Sequence, residues 1–232
     1  MENILECHNI IKRYGSKVAI DNLSVTVGSG KITGLLGPNG SGKTTLIKLI
    51  AGVLNLDEGG IFAGGNQIGI ESKKIVSYLP ERPYFTPGMK VSETIKFFND
   101  FYNDFSSDAA EGMLKSLDIN PDARIRTLSK GNREKVQLVL VMSRKAKLYL
   151  LDEPMGGVDP AARDFILKTI LKNYNEKAGV IISTHLISDV EKVLDDVIFI
   201  KSGQIVLHES VDDIRSNKGK SVDSLFREVF AC

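Results

Sequence analysis

The sequence has few cysteines, no tryptophan and almost no charge imbalance, and these shortages exclude several classes of protein. Only Cys7 and Cys232 are cysteines among 232 residues, and they lie at opposite ends without a metal-ligand spacing. We therefore interpret both as free thiols of a reducing compartment rather than as a disulfide framework. The net charge of +1 gives no basic excess for phosphate backbones, so we expect no nucleic-acid partner.

A targeting segment and long apolar runs are also missing. The first three residues include the acid Glu2 instead of the basic and then apolar pattern of a secretory signal. An apolar run from Val136 to Met142 is interrupted by Gln137 and followed by Arg144, so it is too short to cross a bilayer. We expect a polypeptide that spans no membrane but that can lie against one through a partner. Its 42% hydrophobic and 25% charged residues are ordinary for a globular protein.

A glycine-rich loop between an apolar strand and a helix is the strongest motif. After the run 32–36, the pattern G-x-x-x-x-G-K-[ST] predicts a phosphate-binding loop. Its glycines let backbone N–H groups turn inward, Lys43 would reach the β- and γ-phosphates, and the Thr44 hydroxyl would bind Mg²⁺. We expect the phosphates to contact Gly37, Pro38, Asn39, Gly40, Ser41, Gly42, Lys43, Thr44 and Thr45.

Three later apolar runs end in ionisable residues. The run 148–151 ends in Asp152 and Glu153, and in phosphate-loop enzymes an acid at this position holds Mg²⁺. Because strand side chains alternate, Asp152 can serve the metal while Glu153 addresses a water. Glu81 follows another run and is a site residue or a solvated loop acid. His185 ends the run 179–184 and is a structural residue or a part of the same edge.

Other segments have more than one interpretation. Tyr14 precedes a turn and fits a half-buried strand residue as well as a nucleotide contact. Residues Leu128–Arg133 open a helix predicted at 134–145, with Ser129 or Asn132 as its cap, and this opening is also a possible anion site. Phenylalanine and tyrosine at helical spacing between 91 and 107 predict a helical insert whose aromatic stripe packs into the core and in part faces a partner.

The ordered set of these motifs resembles the ATP-binding subunit of ABC transporters over nearly the whole chain. The segment Leu128-Ser129-Lys130-Gly131 between the phosphate loop and Asp152-Glu153 distinguishes this family from other phosphate-loop proteins. The resemblance implies an α/β fold: a P-loop NTPase core with a mainly parallel sheet, an N-terminal antiparallel β subdomain and an inserted helical subdomain. We expect one domain, with 1–83 and 143–208 as the core, 84–142 as the helical subdomain and 209–232 as C-terminal helices.

The resemblance also implies a role for each motif residue. Tyr14 would stack on adenine with Val18 packing nearby, Thr44, Asp152 and Glu81 would bind Mg²⁺, and Glu153 would be the general base. His185 would contact the γ-phosphate, and Asp159 lies in the loop that contacts the second subunit of a dimer. The signature residues would bind the ATP held by that second subunit, and these are Leu128, Ser129, Lys130, Gly131 and Asn132.

The chain departs from the usual family pattern at Glu81 and in the signature segment. Glu81 stands where the family usually has glutamine, and the signature reads Ser-Lys-Gly-Asn instead of Ser-Gly-Gly-Gln. Such variants resemble bacterial exporters. We therefore expect a Mg²⁺-dependent ATPase that powers export by a separate transmembrane permease, as one of two identical or related ATP-binding subunits at the cytoplasmic face of the membrane. Alternatives are a non-transport ABC ATPase acting on ribosomes or DNA, and a nucleotide-gated regulatory subunit with little turnover.

Overall fold

A six-stranded sheet forms the centre of the computed structural model, which describes residues 2–86, 88–156 and 160–231. Its strand order is β10-β9-β3-β8-β7-β6, and neighbouring strands are parallel except for the β9–β10 hairpin. The strands are β3 (Ile32–Leu36), β6 (Val76–Leu79), β7 (Leu148–Asp152), β8 (Gly179–Thr184), β9 (Asp196–Lys201) and β10 (Gln204–Ser210).

A second sheet is antiparallel and has the order β2-β1-β4-β5. Leu23, Val25 and Val27 are buried whereas Ser24 and Thr26 between them are exposed, as the alternating sequence predicted. Together the two sheets confirm the predicted α/β class with a mainly parallel sheet and an N-terminal antiparallel part. The strands are β1 (Asn3–Tyr14), β2 (Lys17–Gly28), β4 (Glu58–Ala63) and β5 (Asn66–Gln67).

Nine helices occur in the described part of the chain. The sequence did not predict helix α2 (Ile70–Ile75). Helix α5 (Lys130–Met142) begins four residues before its expected start, because its first turn is polar and carries no apolar periodicity. Ser129 caps α5 by accepting a hydrogen bond from the backbone nitrogen of Asn132 at 3.2 Å. The helices are α1 (Lys43–Ile50), α2 (Ile70–Ile75), α3 (Val91–Phe101), α4 (Ser107–Ser116), α5 (Lys130–Met142), α6 (Pro160–Asn173), α7 (Ile187–Val190), α8 (Val211–Lys218) and α9 (Val222–Phe230).

The core lies on both faces of the six-stranded sheet. Along β7, Tyr149 and Leu151 pack into the cluster that contains the helical residues of 91–142, whereas Leu148 and Leu150 pack on the opposite side with β1, β2 and α1. A strand covered on both faces reads as a continuous apolar run, which is why 148–151 could be identified in the sequence. No helix in the described residues is long and apolar enough to cross a membrane.

The aromatic stripe of α3 and the following loop divides between core and surface. Phe98 and Phe105 are buried, whereas the rings of Phe97 and Phe101 stack 5.9 Å apart with exposures of 55% and 69%. The packing of the stripe into the core is therefore confirmed for Phe98 and Phe105, and the contact of the exposed rings with a partner stays a prediction.

Candidate nucleotide site

The phosphate loop connects β3 to α1 and requires glycine at two positions, where a side chain has no room. A Cβ atom at Gly37 would lie 2.3 Å from the carbonyl oxygen of Ile200. Gly42 has φ +114°, and a Cβ there would lie 2.8 Å from the carbonyl oxygen of Ala19. The loop is therefore packed closely against β2 and β9, and the N-terminus of α1 opens directly after it.

Lys43 begins α1 and folds over this loop. Its side chain is buried, and Nζ donates to the carbonyl oxygens of Gly37 at 2.7 Å and Pro38 at 3.3 Å. Burial lowers the pKa of Lys43, while the nearby charges of Glu153 and Asp152 act in the opposite direction. The residue thus supplies a positive charge beside the backbone N–H groups of the loop.

Asp152 ends β7 next to Thr44 and Ser183. Its Oδ1 accepts hydrogen bonds from Ser183 Oγ at 2.6 Å and from Thr44 Oγ1 at 3.2 Å, whereas its Oδ2 is buried without a partner in the described residues. Burial raises the pKa of Asp152, against the effect of both hydrogen bonds.

The residues around Asp152 Oδ2 fit a magnesium ion. A free buried carboxylate oxygen beside a threonine hydroxyl is the kind of donor set that Mg²⁺ prefers, and Mg²⁺ usually keeps several waters and substrate oxygens as further ligands. Accordingly, no three His, Cys, Asp or Glu side chains of the described residues group as a metal site of their own. Glu81 lines a cavity that Thr44 also lines, and the charge of Glu81 contributes to the raised pKa of Asp152.

Glu153 follows Asp152 in an unusual backbone conformation with φ +49°. Its backbone nitrogen donates to the carbonyl oxygen of Ser183 at 3.1 Å and lies 3.0 Å from Ser183 Oγ. Its Oε2 is 3.0 Å from Nδ1 of His185. Because an ionised carboxylate only accepts, the proton of this hydrogen bond belongs on Nδ1 of the histidine. Glu153 and His185 are therefore paired at the rim formed by β7 and β8.

A cavity of about 820 Å³ unites most of the predicted residues. Most loop residues between 39 and 45 line it with Glu81, Glu153 and His185 and with residues from β1, β2 and α5, whereas the predicted residues Gly37, Pro38, Ser41 and Asp152 do not. Its lining residues are Tyr14, Lys17, Ala19, Asn39, Gly40, Gly42, Lys43, Thr44, Thr45, Glu81, Arg82, Pro83, Lys130, Glu134, Glu153, Gly156 and His185.

Of the two residues predicted to contact adenine, Tyr14 lines the cavity and Val18 does not. Tyr14 lines the cavity and is 49% exposed, so its ring is available to a ligand. Val18 is exposed and does not line the cavity, whereas its neighbours Lys17 and Ala19 do. Alternate residues of a strand point to opposite sides, which places Val18 away from the other two.

The signature residues contribute to the cavity only through Lys130. Ser129 and Gly131 do not line it, and the Ser129 hydroxyl caps α5. Lys130 Nζ lies 3.8 Å from Oε1 of Glu134, whose Oε2 is buried without a partner in the described residues. Asp159 lies outside the described residues.

Lys17, Glu134 and Ser183 are site residues that the sequence reasoning missed. The sequence offered one signal for Glu134, a charged residue four positions after Lys130. It offered one for Ser183, a serine two positions before His185. Neither residue type is specific enough to be chosen without knowing the packing of α5 and the register of β7 with β8.

Comparisons with known proteins identify the family of this chain. A family model described as ABC transporter matches residues 20–156. The uncharacterised ABC transporter ATP-binding protein YdbJ of Bacillus subtilis (strain 168) is 32% identical over 229 residues, 95% of this chain and 74% of that protein. The SkfA peptide export ATP-binding protein SkfE of the same organism is 30% identical, covering 88% of this chain and 87% of its own. A solved ATP-binding subunit of an ABC transporter has a TM-score of 0.87 at 27% identity, covering 97% of this chain and 99% of that one. The chain therefore belongs to the ABC transporter family, as one of its ATP-binding proteins.

Proposed function

We propose that this ABC transporter ATP-binding subunit is a Mg²⁺-dependent ATPase that converts ATP and water to ADP and phosphate, and that this reaction powers export through a separate membrane protein. The observation that carries the proposal is that Lys43, Glu153 and His185 line one cavity beside a phosphate loop, while Asp152 is hydrogen-bonded to Thr44 of its wall. Each of these side chains has the chemistry that one step of phosphate transfer requires.

In this proposal the loop residues 37–45 hold the phosphates, and Tyr14, which lines the cavity, stacks on adenine. Lys43 exchanges its hydrogen bonds to the loop carbonyls for the β- and γ-phosphate oxygens. Glu153 accepts the proton of the attacking water, and His185 orients the Glu153 carboxylate through their 3.0 Å hydrogen bond and contacts the γ-phosphate. Catalysis then depends mainly on positioning and charge stabilisation, as in other phosphoryl transfers.

Thr44 and Asp152 would hold the magnesium ion, with Glu81 as a further acid at the cavity. Bound there, Mg²⁺ would neutralise charge that develops on the phosphate oxygens. The Oδ2 of Asp152 supports this assignment, because it is buried and no group of the described residues bonds to it.

ABC ATP-binding cassettes act as dimers with transmembrane partners, and we propose a head-to-tail arrangement of two identical or related subunits here. Ser129, Lys130, Gly131 and their signature neighbours would bind the γ-phosphate held by the second subunit, and Asp159 would contact that subunit. Lys130 is 72% exposed at its side chain, which leaves its charge available to a phosphate. Hydrolysis would then require two copies.

We propose that residues 84–142 form a helical subdomain that connects the site to the permease at the cytoplasmic face of the membrane. Gln137 of α5 donates to the carbonyl oxygen of Pro80 at 3.2 Å, so the signature helix contacts the segment that carries Glu81. The exposed rings of Phe97 and Phe101 supply an apolar surface for the partner. Export is supported by SkfE, a relative whose name describes it as an ATP-binding protein of peptide export.

A membrane pull-down tests the coupling to transport. Tagged Glu153→Gln protein would be incubated with ATP and Mg²⁺ and with detergent-solubilised membranes of its source, and bound proteins would be identified by mass spectrometry. We expect a protein with several membrane spans to be enriched over a Lys43→Ala control, which should not form the ATP state. Enrichment of ribosomal or other soluble proteins alone would contradict the proposal.

A further inference from the structure

Ser183 connects the two acidic residues of the proposed site. Its side chain is fully buried in β8, where Ser183 lies opposite Asp152 in the parallel register with β7. Its Oγ is 2.6 Å from Asp152 Oδ1 and 3.0 Å from the backbone nitrogen of Glu153. Ser183 belongs neither to the phosphate loop nor to the signature.

The direction of these two hydrogen bonds follows from the groups involved. An ionised carboxylate can only accept, and a backbone N–H can only donate. The Ser183 hydroxyl therefore donates its proton to Asp152 and accepts from Glu153. One side chain is thus bonded to both acidic residues at the same time.

The contact with Asp152 fixes which carboxylate oxygen is free. Both hydrogen bonds of this carboxylate, from Ser183 and Thr44, fall on Oδ1, while Oδ2 is buried without a partner in the described part of the chain. The bond from Ser183 is the shorter of the two. It therefore holds Asp152 with Oδ2 as the available ligand atom.

The contact with Glu153 supports a strained backbone. A residue other than glycine rarely adopts φ near +49°, and such conformations persist only where the surroundings hold them. The Glu153 N–H is held by the carbonyl oxygen of Ser183 at 3.1 Å as well as by its hydroxyl. In this conformation the Glu153 carboxylate reaches His185.

We propose that Ser183 is a positioning residue that sets the metal-binding orientation of Asp152 and the backbone conformation of Glu153 together. The inference rests on the proposed function, because it assigns Ser183 a part in the metal and water chemistry of the same site. Groups that hydrogen-bond to metal ligands typically change metal affinity by roughly 10- to 100-fold. Ser183 should have an effect of this kind without touching the metal or the nucleotide.

Metal affinity measured without turnover tests the proposal. The full chain, saturated with ADP, would be titrated with Mn²⁺ as a probe for Mg²⁺ and followed by electron paramagnetic resonance. Ser183→Ala should weaken Mn²⁺ binding by about tenfold or more, and Ser183→Thr, which keeps the hydroxyl, should restore most of the affinity.

Ser77→Ala is the matched control. Ser77 is a buried serine of β6 whose hydroxyl donates to the backbone carbonyl of Val141 at 2.9 Å, and no acidic residue shares this hydrogen bond. We expect this variant to lose stability like Ser183→Ala but to bind Mn²⁺ like the wild type. Comparable thermal unfolding of the two variants would show that the difference in affinity does not come from general loosening of the sheet.

Four outcomes overturn the inference. An Mn²⁺ affinity of Ser183→Ala within about twofold of wild type would do so, and so would an equal loss in Ser77→Ala. If Ser183→Ala does not fold, Ser183→Cys decides, because it keeps a side chain of similar size but a weak donor, and wild-type affinity there contradicts the proposal. A wild type whose ADP complex binds no Mn²⁺ would overturn the proposed function as well, whereas the other outcomes leave that function intact.

Discussion

Arg144 and the groups that it contacts form a joint between the helical segment 91–142 and β6. Nearly all polar atoms of this joint are hydrogen-bonded within the protein. Arg144 follows α5 and is buried, and it donates to both carboxylate oxygens of Asp104 at 2.9 and 3.1 Å and to the carbonyl oxygens of Lys74 and Val76. Its guanidinium carbon lies 3.9 Å from the centre of the Tyr102 ring. The joint thereby fastens the helical segment 91–142 to β6.

The nucleotide cavity, by contrast, leaves buried polar groups unused. In the described residues Asp152 Oδ2, Glu134 Oε2 and Ser41 Oγ have no hydrogen-bond partner. A buried group without a partner costs about 1–3 kcal/mol, and a ligand that forms the missing hydrogen bond removes this cost. Changes at the joint should therefore reduce stability, whereas changes at the cavity should reduce binding and turnover and leave the fold intact.

The largest effect is expected at the joint. Arg144→Ala would leave Asp104 and two backbone carbonyls without their donor, and removing one partner of a buried ion pair costs about 3 kcal/mol of unfolding free energy or more. Urea denaturation measures this loss. The control Arg227→Ala breaks the pair with Asp223 at a site where the arginine side chain is 78% exposed, and it should change stability by less than about 0.5 kcal/mol. Equal effects of the two variants would contradict the assignment of the joint.

The second effect sharpens the contrast from the other side. Lys43→Ala removes a buried charge from the loop, and we expect ATP affinity to fall by about 10- to 100-fold because charge-assisted hydrogen bonds contribute roughly 1.5–3 kcal/mol. The unfolding free energy without nucleotide should not fall as it does in Arg144→Ala. Calorimetric ATP titration measures the affinity, and an unchanged value would contradict our placement of the phosphates.

A smaller effect is expected at a fully bonded cluster that supports the cavity. Asp57 accepts from Lys12 Nζ at 2.7 Å and from the backbone nitrogen of Arg13 at 2.6 Å, and this holds the end of β1 that carries Tyr14. Asp57→Ala should raise the KM for ATP about fivefold with kcat unchanged, since one such hydrogen bond contributes about 1 kcal/mol. Glu58→Ala, which loses only an exposed pair with Arg13, is the control and should leave both constants unchanged. A lower kcat in Asp57→Ala would contradict the proposal that Asp57 affects only ATP binding through Tyr14.

The smallest effect concerns pH. Burial raises the pKa of Asp152 in the fold, so its ionised form is less stable there than in the unfolded chain. At a pH above this raised pKa, the buried charge of Asp152 lowers the stability of the wild type. Protonation of Asp152 removes this loss as the pH falls through the pKa. Without nucleotide and metal, Asp152→Asn should have the higher Tm at neutral pH, and the difference should shrink toward acid. Thermal melts across pH measure this, and a difference that is constant with pH would contradict it.

Sequence patterns were sufficient for the elements whose residue types are dictated locally. The phosphate loop requires glycine for steric reasons at Gly37 and Gly42, and β7 is covered on both faces, so both are visible as patterns. The predicted family and fold class are confirmed. The predicted start of α5 was wrong, because a polar first turn on the protein surface shows no apolar periodicity.

The contacts inside the site could not be predicted in the same way. Ser183 lies opposite Asp152 only because β7 and β8 pair in one particular register. Glu134 reaches the cavity only because α5 packs near the segment 80–83. Such contacts between distant parts of the chain depend on tertiary packing, which no local pattern of residue types records. The roles of the individual site residues remain predictions.

ATP turnover and ATP affinity measured together in Glu153→Gln test whether Glu153 activates the attacking water. This change keeps the size of the side chain but removes the base, so ATP should bind as in the wild type while kcat falls by about 100-fold or more. Turnover is measured by phosphate release, and affinity by calorimetry in the presence of Mg²⁺. Near-normal turnover with normal affinity would contradict the assignment of Glu153 as the residue that activates water.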